Sequence, residues 1–486
     1  MWANLSLAIL SAMVAFVASG YPLLTVAFGG LAIWQGYCAV SLRKPSTAPI
    51  LRLAGFTWDI FSFCRGWLIV GETGSGKTQS AINTMLWQVS KNCPNWGGVC
   101  IDDKGVYWET LSEMFRHLGR EQDLVLIKVR PEGAPSDWQP PHTFNFLDNP
   151  HLPWSAKAKN VCDVAASLGQ DGDQPFFKVQ AEIQMEFAFR ALKCAGFAVT
   201  LEKAYELLSD PELLEDMVSL FGERSEDQEA QALLEHYRSH IANQPAEQLG
   251  GVRGTLANRL KHFTASDIAR VFCAEQSSFS FDEIDRGKVI CVSIPQRFQT
   301  ERRYIHTLLK LTFYSYVLLR FDRPAAERAN DNLLILWADE AQKIVTANDD
   351  GASDYNVVDV IREAKATVVA ATQSYTSLVP PIGSEEKTKV FIANMANRIT
   401  FKAADEDTAR MAADALGKHV VKKRAYTYSG GKRTVSVSDE EKHHIPPHEL
   451  RTLRPFEAVV QHCRGGFRRG LLPPHGADGR IPDWYR

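Results

Sequence analysis

The stretch Gly71-Glu72-Thr73-Gly74-Ser75-Gly76-Lys77-Thr78 decides the fold of this chain, and it follows the apolar run Trp67–Val70. The pattern is typical of a strand, a glycine-rich turn and the first turn of a helix. In such a turn successive backbone N–H groups surround phosphate oxygens, and the helix dipole adds to the attraction. We expect Lys77 to contact the β- and γ-phosphates of ATP and the Thr78 hydroxyl to bind Mg²⁺. All eight residues are therefore candidate nucleotide ligands, and a glycine turn without nucleotide is the alternative.

Length and composition set the first limits. The chain of 486 residues is long enough for two or three domains with a sizeable core. Its net charge of −3 is unevenly distributed, because residues 202–235 hold eleven Asp and Glu against Lys203 and Arg224. We interpret this acidic cluster as a solvated helix face, with a docking surface for basic partners as the alternative. Nine cysteines without a C-x-x-C pair indicate neither a zinc site nor a disulfide framework, which fits a reducing compartment.

The first 42 residues carry no Asp, Glu, Lys or Arg. Since about 20 apolar residues span a bilayer, this stretch predicts two membrane helices, at 5–19 and 22–40, joined by a tight turn. Arg43 and Lys44 follow the second helix, which places the rest of the chain on the cytoplasmic side. A cleaved signal peptide ending near residues 18–20 is the alternative, although it lacks a basic start.

Strands alternate with helices on both sides of a long helical interval. Apolar runs at 98–101, 124–129 and 288–294 indicate strands, and the patterns within 153–265 indicate helices. This alternation predicts an α/β fold with a parallel sheet covered on both faces, in which ligands bind at the carboxyl ends of the strands. We divide the chain into a transmembrane helical hairpin (1–42), the first part of a nucleotide-binding domain (43–152), an inserted all-α domain (153–265) and the second part of the nucleotide-binding domain (266–486).

A further apolar run, Leu333–Ala338, ends in Asp339 and Glu340. We expect Asp339 to hold Mg²⁺ and Glu340 to orient or deprotonate the attacking water. An apolar strand that ends in acids is common, but together with the phosphate loop it indicates an ATPase. Asp102 and Lys104 follow another predicted strand and should lie at the same edge of the sheet.

Three further residues are candidates for catalysis. A helix over 354–365 is expected to lead into a strand that ends at Gln373, where a polar side chain can sense the γ-phosphate. A capping role in the next turn is the alternative for Gln373. Arg362 and Arg398 both qualify as an arginine finger that reaches a neighbouring subunit, with an ordinary salt bridge as the alternative for each. Residues 397–401 are expected to form the last short strand.

Residues 420–438 alternate in a way that predicts a β-hairpin with basic flanks. Basic residues interleaved with Tyr426 and Tyr428 suit a nucleic-acid backbone and stacked bases. A solvated hairpin without a ligand is the alternative. The candidate DNA-binding residues are Lys422, Lys423, Arg424, Lys432 and Arg433.

The order of these motifs resembles that of the TraG/TraD-type coupling proteins of type IV secretion and conjugation. The resemblance includes the membrane hairpin, the phosphate loop, the helical insertion and Asp339-Glu340, and together the motifs cover nearly the whole chain. The other motifs that carry it are Asp102-Asp103-Lys104-Gly105, Phe144-Asn145-Phe146-Leu147-Asp148, Ala371-Thr372-Gln373, Asn397-Arg398-Ile399, Asp405-Glu406-Asp407-Thr408-Ala409 and Pro446-Pro447-His448-Glu449-Leu450.

The resemblance implies a RecA-like P-loop ATPase domain, related to FtsK and HerA pumps, that forms a homo-hexameric ring on the bacterial inner membrane. It also implies that ATP hydrolysis drives the delivery of DNA with its relaxase, or of protein effectors, to a secretion channel. The sequence departs from the family pattern in its very short periplasmic loop, in Val106 in place of an acid, and in the lack of a long acidic C-terminal extension. Substrate choice is then expected to rest with the helical insertion or with an adaptor protein.

Two other functions fit the same motifs. One is a DNA pump of the FtsK or HerA kind without a secretion partner, and the other is a membrane scaffold or cargo receptor that binds ATP as an assembly ligand. The Asp339-Glu340 pair favours an enzyme, because a pure binding module does not need a carboxylate that activates water.

Overall fold

The computed structural model describes residues 48–168, 175–430 and 432–485. The predicted membrane hairpin, residues 1–42, lies outside the described residues. In the described part of the chain, no helix is both long enough and apolar enough to cross a bilayer.

The centre of the fold is a nine-stranded sheet. The strands of this sheet and of two smaller ones are, in chain order, β1 (Leu51–Leu53), β2 (Phe56–Trp58), β3 (Trp67–Val70), β4 (Gly97–Ile101), β5 (Leu124–Lys128), β6 (Val289–Ser293), β7 (Leu334–Ala338), β8 (Ala366–Thr372), β9 (Asn397–Thr400), β10 (Lys418–Ser429), β11 (Lys432–His443), β12 (Glu457–Gln461) and β13 (Phe467–Leu471). The order in the large sheet is β13-β12-β9-β3-β8-β7-β4-β6-β5. The strands from β9 to β5 are parallel, and β12 and β13 continue the sheet in antiparallel pairing.

Alternate residues of the central strands enter two separate apolar clusters. In β3, Leu68 and Val70 belong to one cluster, and Trp67 and Ile69 belong to the other. Because successive side chains of a strand point to opposite faces, a strand that is buried throughout must be covered on both sides. All residues of β3, β4, β6, β7 and β8 are buried. The predicted α/β class is confirmed, with a large mixed sheet.

The described α-helices cover the two faces of this sheet or lie in the interval between β5 and β6. They are α1 (Ile60–Phe63), α2 (Asn83–Asn92), α3 (Tyr107–His117), α4 (Trp154–Ser167), α5 (Pro175–Ala195), α6 (Leu201–Ser209), α7 (Pro211–Glu223), α8 (Gln228–His236), α9 (Ala246–Leu260), α10 (Ser266–Phe272), α11 (Gln299–Leu318), α12 (Ala325–Arg328), α13 (Asp354–Val357), α14 (Val379–Ile382), α15 (Glu385–Asn394), α16 (Glu406–Leu416) and α17 (Pro447–Leu450). A π-helical turn, Lys77–Ile82, leads directly into α2.

The described residues between β5 and β6 include the helices α4 to α10 and no strand. Apolar side chains of these helices, such as Phe189 and Leu207, belong to the same cluster as Val99 and Ile127 of the sheet. The helical interval therefore shares its core with one face of the sheet. Its division from the rest of the chain at residues 152 and 265 stays a prediction.

Two expectations about local structure were wrong, and a third, the basic hairpin, is confirmed with longer strands. Residues 354–365 form two short pieces, α13 and the 3₁₀ turn Ile361–Ala364, instead of one helix. The β-branched residues of this stretch fit a helix poorly. The strand at 397–400 is not the last, because β12 and β13 follow, and β13 is a short edge strand with a weak sequence signal. The basic hairpin is longer than 420–438 and extends from Lys418 to His443.

Candidate nucleotide site

The phosphate loop begins where β3 ends and leads into the π-helical turn before α2. Gly74 and Gly76 have φ values of 82° and 102°, which favour glycine because it lacks a Cβ atom. The Ser75 N–H donates to the Glu72 carbonyl at 3.2 Å and so closes a turn over residues 72–75. The loop is therefore curved around the N-terminal end of a helix, as phosphate binding requires.

Lys77 is folded across the loop that precedes it. Its Nζ atom donates to the Gly71 carbonyl at 2.6 Å and to the Glu72 carbonyl at 3.2 Å, and the side chain is 7% exposed. Burial lowers the pKa of Lys77, while the negative charges of Glu340 and Asp339 oppose this shift. A partly desolvated ammonium group gains more from an incoming phosphate than a fully hydrated one would.

The two predicted metal ligands are in direct contact. The Thr78 hydroxyl donates to Asp339 Oδ2 at 3.0 Å, and Asp339 follows directly after the last residue of β7. Burial raises the pKa of Asp339, and the hydrogen bond from Thr78 opposes that shift. A hydroxyl and a carboxylate beside a phosphate loop are the oxygen ligands that Mg²⁺ takes together with phosphate oxygens. These residues fit a magnesium ion.

Glu340 is held by two glutamine side chains. The Nε2 atoms of Gln342 and Gln373 donate to Glu340 Oε2 at 2.5 and 3.1 Å. Gln342 is in turn bound by the Thr372 hydroxyl, which donates to its Oε1 atom at 2.9 Å. Glu340 itself has a φ of 55°, a backbone conformation that is uncommon for residues other than glycine and that often occurs at functional sites. Gln373 thus contacts the predicted water-activating carboxylate, and sequence analysis did not identify Gln342 as a partner of this carboxylate.

A cavity of about 470 Å³ lies beside the loop. Of the eight loop residues, Thr73, Gly74, Gly76, Lys77 and Thr78 line it, together with Asp339 and Glu340. The other lining residues are Gln79, Asn83, Asp102, Lys104, Val106, Tyr107, Thr110 and Phe456. Its volume is in the range of small-molecule sites.

Gly71, Glu72 and Ser75 support the loop from behind the cavity. The carbonyls of Gly71 and Glu72 hold Lys77, and the Glu72 side chain pairs with Lys402 at 2.8 Å. The Ser75 hydroxyl donates to the Glu72 carbonyl at 2.7 Å. These three predicted ligands therefore shape the loop, while the other five face the cavity.

Asp102 begins α3 by accepting hydrogen bonds from the backbone N–H groups of Val106 and Tyr107, both at 2.9 Å. Its position at the carboxyl edge of the sheet is the one expected from the sequence. Tyr107 in turn donates its hydroxyl to Asn83 Oδ1 at 2.8 Å, which links α3 to α2.

Phe456 is a cavity residue that sequence reasoning missed. Its N–H donates to the Ser75 carbonyl at 3.0 Å. A Cβ atom added to Gly76 would lie only 2.6 Å from the Phe456 ring. The rings of Trp484 and Tyr485 lie 5.8 and 5.2 Å from it. The chain returns to the loop after β9, and no local pattern around Phe456 indicates this.

The two arginine-finger candidates lie away from the cavity. Arg362 is exposed on the turn before β8. Arg398 donates to the carbonyls of Met395 and Ile392 at 3.0 and 2.8 Å, which are contacts of an ordinary structural arginine. Either role in a neighbouring subunit stays a prediction.

The predicted DNA-binding residues lie on the hairpin of β10 and β11. Lys422, Lys423, Arg424 and Arg433 are exposed there, and the side chain of Lys432 lies outside the described part. Their function stays a prediction.

Comparisons with known proteins show which family the chain belongs to. The family model described as "Type IV secretory system Conjugative DNA transfer" matches residues 54–462. The bacterial conjugative coupling protein TrwBdeltaN70 in its unbound monoclinic form has a TM-score of 0.63 at 15% identity, with 90% of this chain and 91% of that chain covered. The plasmid coupling protein TrwB in complex with ADP and Mg²⁺ gives 0.61 at 15% identity, with 90% and 92% covered.

VirB4 of Thermoanaerobacter pseudethanolicus is more distant, with a TM-score of 0.50 at 13% identity and coverage of 90% and 99%. A search of curated proteins by sequence finds no match. At these identities the solved structures show the shared fold alone, whereas the family model covers most of the chain. The predicted resemblance is confirmed, and the chain belongs to the conjugative DNA transfer family of type IV secretory systems.

Proposed function

We propose that this protein is an ATPase that couples ATP hydrolysis to the delivery of DNA to a type IV secretion channel. The observation that carries the proposal is the hydrogen bond from Thr78 to Asp339, because it brings together a phosphate loop and the acids that follow a buried strand. The next residue, Glu340, is positioned by Gln342 and Gln373. The family of the chain and the ADP and Mg²⁺ complex of TrwB support this proposal.

Each residue has a distinct part in the proposed chemistry. Lys77 and the loop N–H groups bind the phosphates, and Thr78 with Asp339 would hold Mg²⁺. When bound, the metal neutralises charge on the phosphate oxygens. Glu340 orients a water molecule for attack on the γ-phosphate and accepts its proton, while the two glutamines fix the carboxylate. Turnover then requires the carboxylate of Glu340 in addition to the binding residues.

The cellular setting is also a proposal. Residues 1–42 would anchor the protein in the bacterial inner membrane as a multi-pass protein with its bulk in the cytoplasm, because they carry no charged residue before Arg43. A homo-hexameric ring would place Arg362 or Arg398 near a neighbouring site. The cargo would be DNA with its relaxase, or protein effectors, and channel components would be partners.

The test is ATP hydrolysis by the purified chain with single-stranded DNA, duplex DNA or no DNA. We expect Lys77→Ala to abolish nucleotide binding and Glu340→Gln to lower turnover by at least about 100-fold while nucleotide still binds. Lys91→Ala removes an exposed lysine of α2 and should have no effect. Undiminished hydrolysis in Glu340→Gln would overturn the role of that residue. Nucleotide binding without hydrolysis under any condition would favour the scaffold function.

A further inference from the structure

Strands β10 and β11 form a two-stranded ribbon, Lys418–His443, that is separate from the large sheet. Each strand has 12 residues, so the ribbon extends for about 40 Å. At its base, His443 Nε2 lies 2.8 Å from Asp414 Oδ1, and the rings of His419 and His444 stack at 5.0 Å. An isolated sheet of two strands buries little of its own surface, so both faces are open to a ligand.

The register divides the ribbon into two different faces. Tyr426 lies opposite Val435, and Arg424 lies opposite Val437, so these four side chains share one face. We call it the tyrosine face, and it also carries Val420, Lys422, Arg433, Asp439 and Glu441. The opposite face, which we call the serine face, carries Lys423, Ala425, Ser436, Ser438, Glu440 and Lys442.

Exposed apolar surface is concentrated on the tyrosine face. Tyr426, Val435, Val437 and Val420 are 46%, 47%, 56% and 62% exposed. They are the large apolar side chains that are exposed among the described side chains of the ribbon. Four such residues on one face form an exposed apolar patch, which is a feature of binding surfaces.

The positive charges of the two faces differ in their partners. On the serine face, the Nζ atoms of Lys423 and Lys442 lie 3.9 and 3.7 Å from Glu440 Oε2. We call Arg424, Tyr426, Arg433, Val435 and Val437 the outer half of the tyrosine face, because they lie nearer the turn of the hairpin. There, Arg433 stacks on Tyr426 with its Cζ atom 4.0 Å from the ring centroid. Arg424 forms no ion pair with any residue that the structure describes. The acids of this face, Asp439 and Glu441, are nearer the base of the ribbon.

We propose that the outer half of the tyrosine face binds single-stranded DNA. The stacked pair of Tyr426 and Arg433 offers a platform for an unpaired base, and Arg424 offers a cation for the backbone. Duplex DNA hides the faces of its bases, so the exposed aromatic and aliphatic side chains favour a single strand. The proposal rests on the proposed function in taking DNA as cargo, but it assigns the contact to one face and removes Lys423 from it.

Two charge-matched double variants of the full chain test this assignment. Arg424→Gln with Arg433→Gln alters the tyrosine face, and Lys423→Gln with Lys442→Gln alters the serine face, each with loss of two positive charges. Binding of a fluorescent thymidine oligonucleotide is measured by anisotropy over a range of salt concentrations. We expect about a tenfold loss of affinity and a salt slope smaller by about 1 for the tyrosine face only. Tyr426→Ala should also lower affinity about tenfold, with an unchanged salt slope.

Equal losses for both double variants, or equal binding of duplex and single strand, would overturn the proposal. A change in oligomeric state by light scattering, with DNA affinity unchanged, would show instead that the tyrosine face joins copies of this chain. Binding of a fluorescent ATP analogue is measured on the same samples. If the unaltered chain binds no nucleotide, the proposed ATPase function fails, whereas the oligonucleotide data still decide the role of the ribbon.

Discussion

The Thr78 hydroxyl donates a 3.0 Å hydrogen bond to Asp339 Oδ2, although the two residues are 261 positions apart in the sequence. Strand β3 leads into the phosphate loop that carries Thr78, and Asp339 directly follows β7. Both strands pair with β8 in parallel. The contact therefore spans the end of one intervening strand. The order of strands in the sheet therefore brings together the two residues that we propose as Mg²⁺ ligands.

Replacing Asp339 separates stability from metal binding. Since burial raises the pKa of Asp339, its charged form has a cost in the folded protein, and Asp339→Asn removes that cost. We expect an unchanged or higher melting temperature without Mg²⁺, together with loss of the Mg²⁺-dependent part of nucleotide affinity. In the unaltered protein, this part should disappear as the pH falls through the raised pKa. Calorimetry with and without Mg²⁺ measures both effects.

Variants at Thr78 provide the control for this prediction. Thr78→Ser keeps the hydroxyl and should retain the Mg²⁺-dependent affinity, whereas Thr78→Val should lose it. A clear fall in melting temperature for Asp339→Asn would show that the carboxylate is needed for folding and would contradict the argument.

Gln342 should act on turnover through Glu340. It donates to Glu340 Oε2 at 2.5 Å and is not among the residues that line the cavity. We expect Gln342→Leu to lower kcat by tenfold to about 100-fold, because the carboxylate loses its orientation, and to leave KM unchanged. Thr372→Val, which removes the hydroxyl that holds Gln342, should have a smaller effect of the same kind. Steady-state phosphate release measures both constants, and a rise in KM alone would exclude a positioning role.

The two loop glycines should respond differently to the same substitution. At Gly76, φ is 102° and a Cβ atom would lie 2.6 Å from the Phe456 ring, whereas at Gly74, φ is 82° and no atom lies within 4 Å. Gly74→Ala therefore carries only the backbone cost of about 1 kcal/mol, and Gly76→Ala adds a steric clash. We expect Gly76→Ala to lose nucleotide binding and Gly74→Ala to weaken it. Restoration of binding in Gly76→Ala with Phe456→Ala would identify the clash, and equal effects at both glycines would contradict it.

The sequence allowed the loop and the acids of β7 to be predicted because each has a local pattern. Lys77 and Thr78 follow glycines at a fixed spacing, and Asp339 and Glu340 end an apolar run. The α/β class followed from the same strand and helix periods.

Phe456 and Gln342 could not be found in this way. Phe456 reaches the loop because the chain forms the ribbon and α17 before it returns to the sheet at β12. Gln342 contacts Glu340 only because Glu340 adopts a positive φ and turns the following residues back. Both contacts depend on tertiary structure, so no periodic pattern marks them.

Asp163 on α4 should make the stability of the folded protein depend on pH. It is 0% exposed, with the Nζ atoms of Lys159 and Lys178 at 3.5 and 3.7 Å from its carboxylate. Burial raises its pKa from 3.8 to about 6, and the two lysines only partly oppose this. The folded state therefore binds the proton of the Asp163 carboxyl group more tightly than the unfolded chain does. The resulting stabilisation of the folded state is complete below pH 3.8 and is lost as the pH rises to about 6. Asp163→Asn lacks this dependence.

The difference in unfolding free energy between Asp163→Asn and the unaltered chain should therefore grow with pH. Between pH 4 and pH 7 we expect it to increase by up to about 3 kcal/mol in favour of Asp163→Asn, the equivalent of the pKa shift. Denaturant unfolding at a series of pH values measures it. Asp216→Asn on α7, at an exposed position, should show no such trend. A constant difference at Asp163 across this range would mean that its carboxylate is as well solvated in the folded protein as in the unfolded chain.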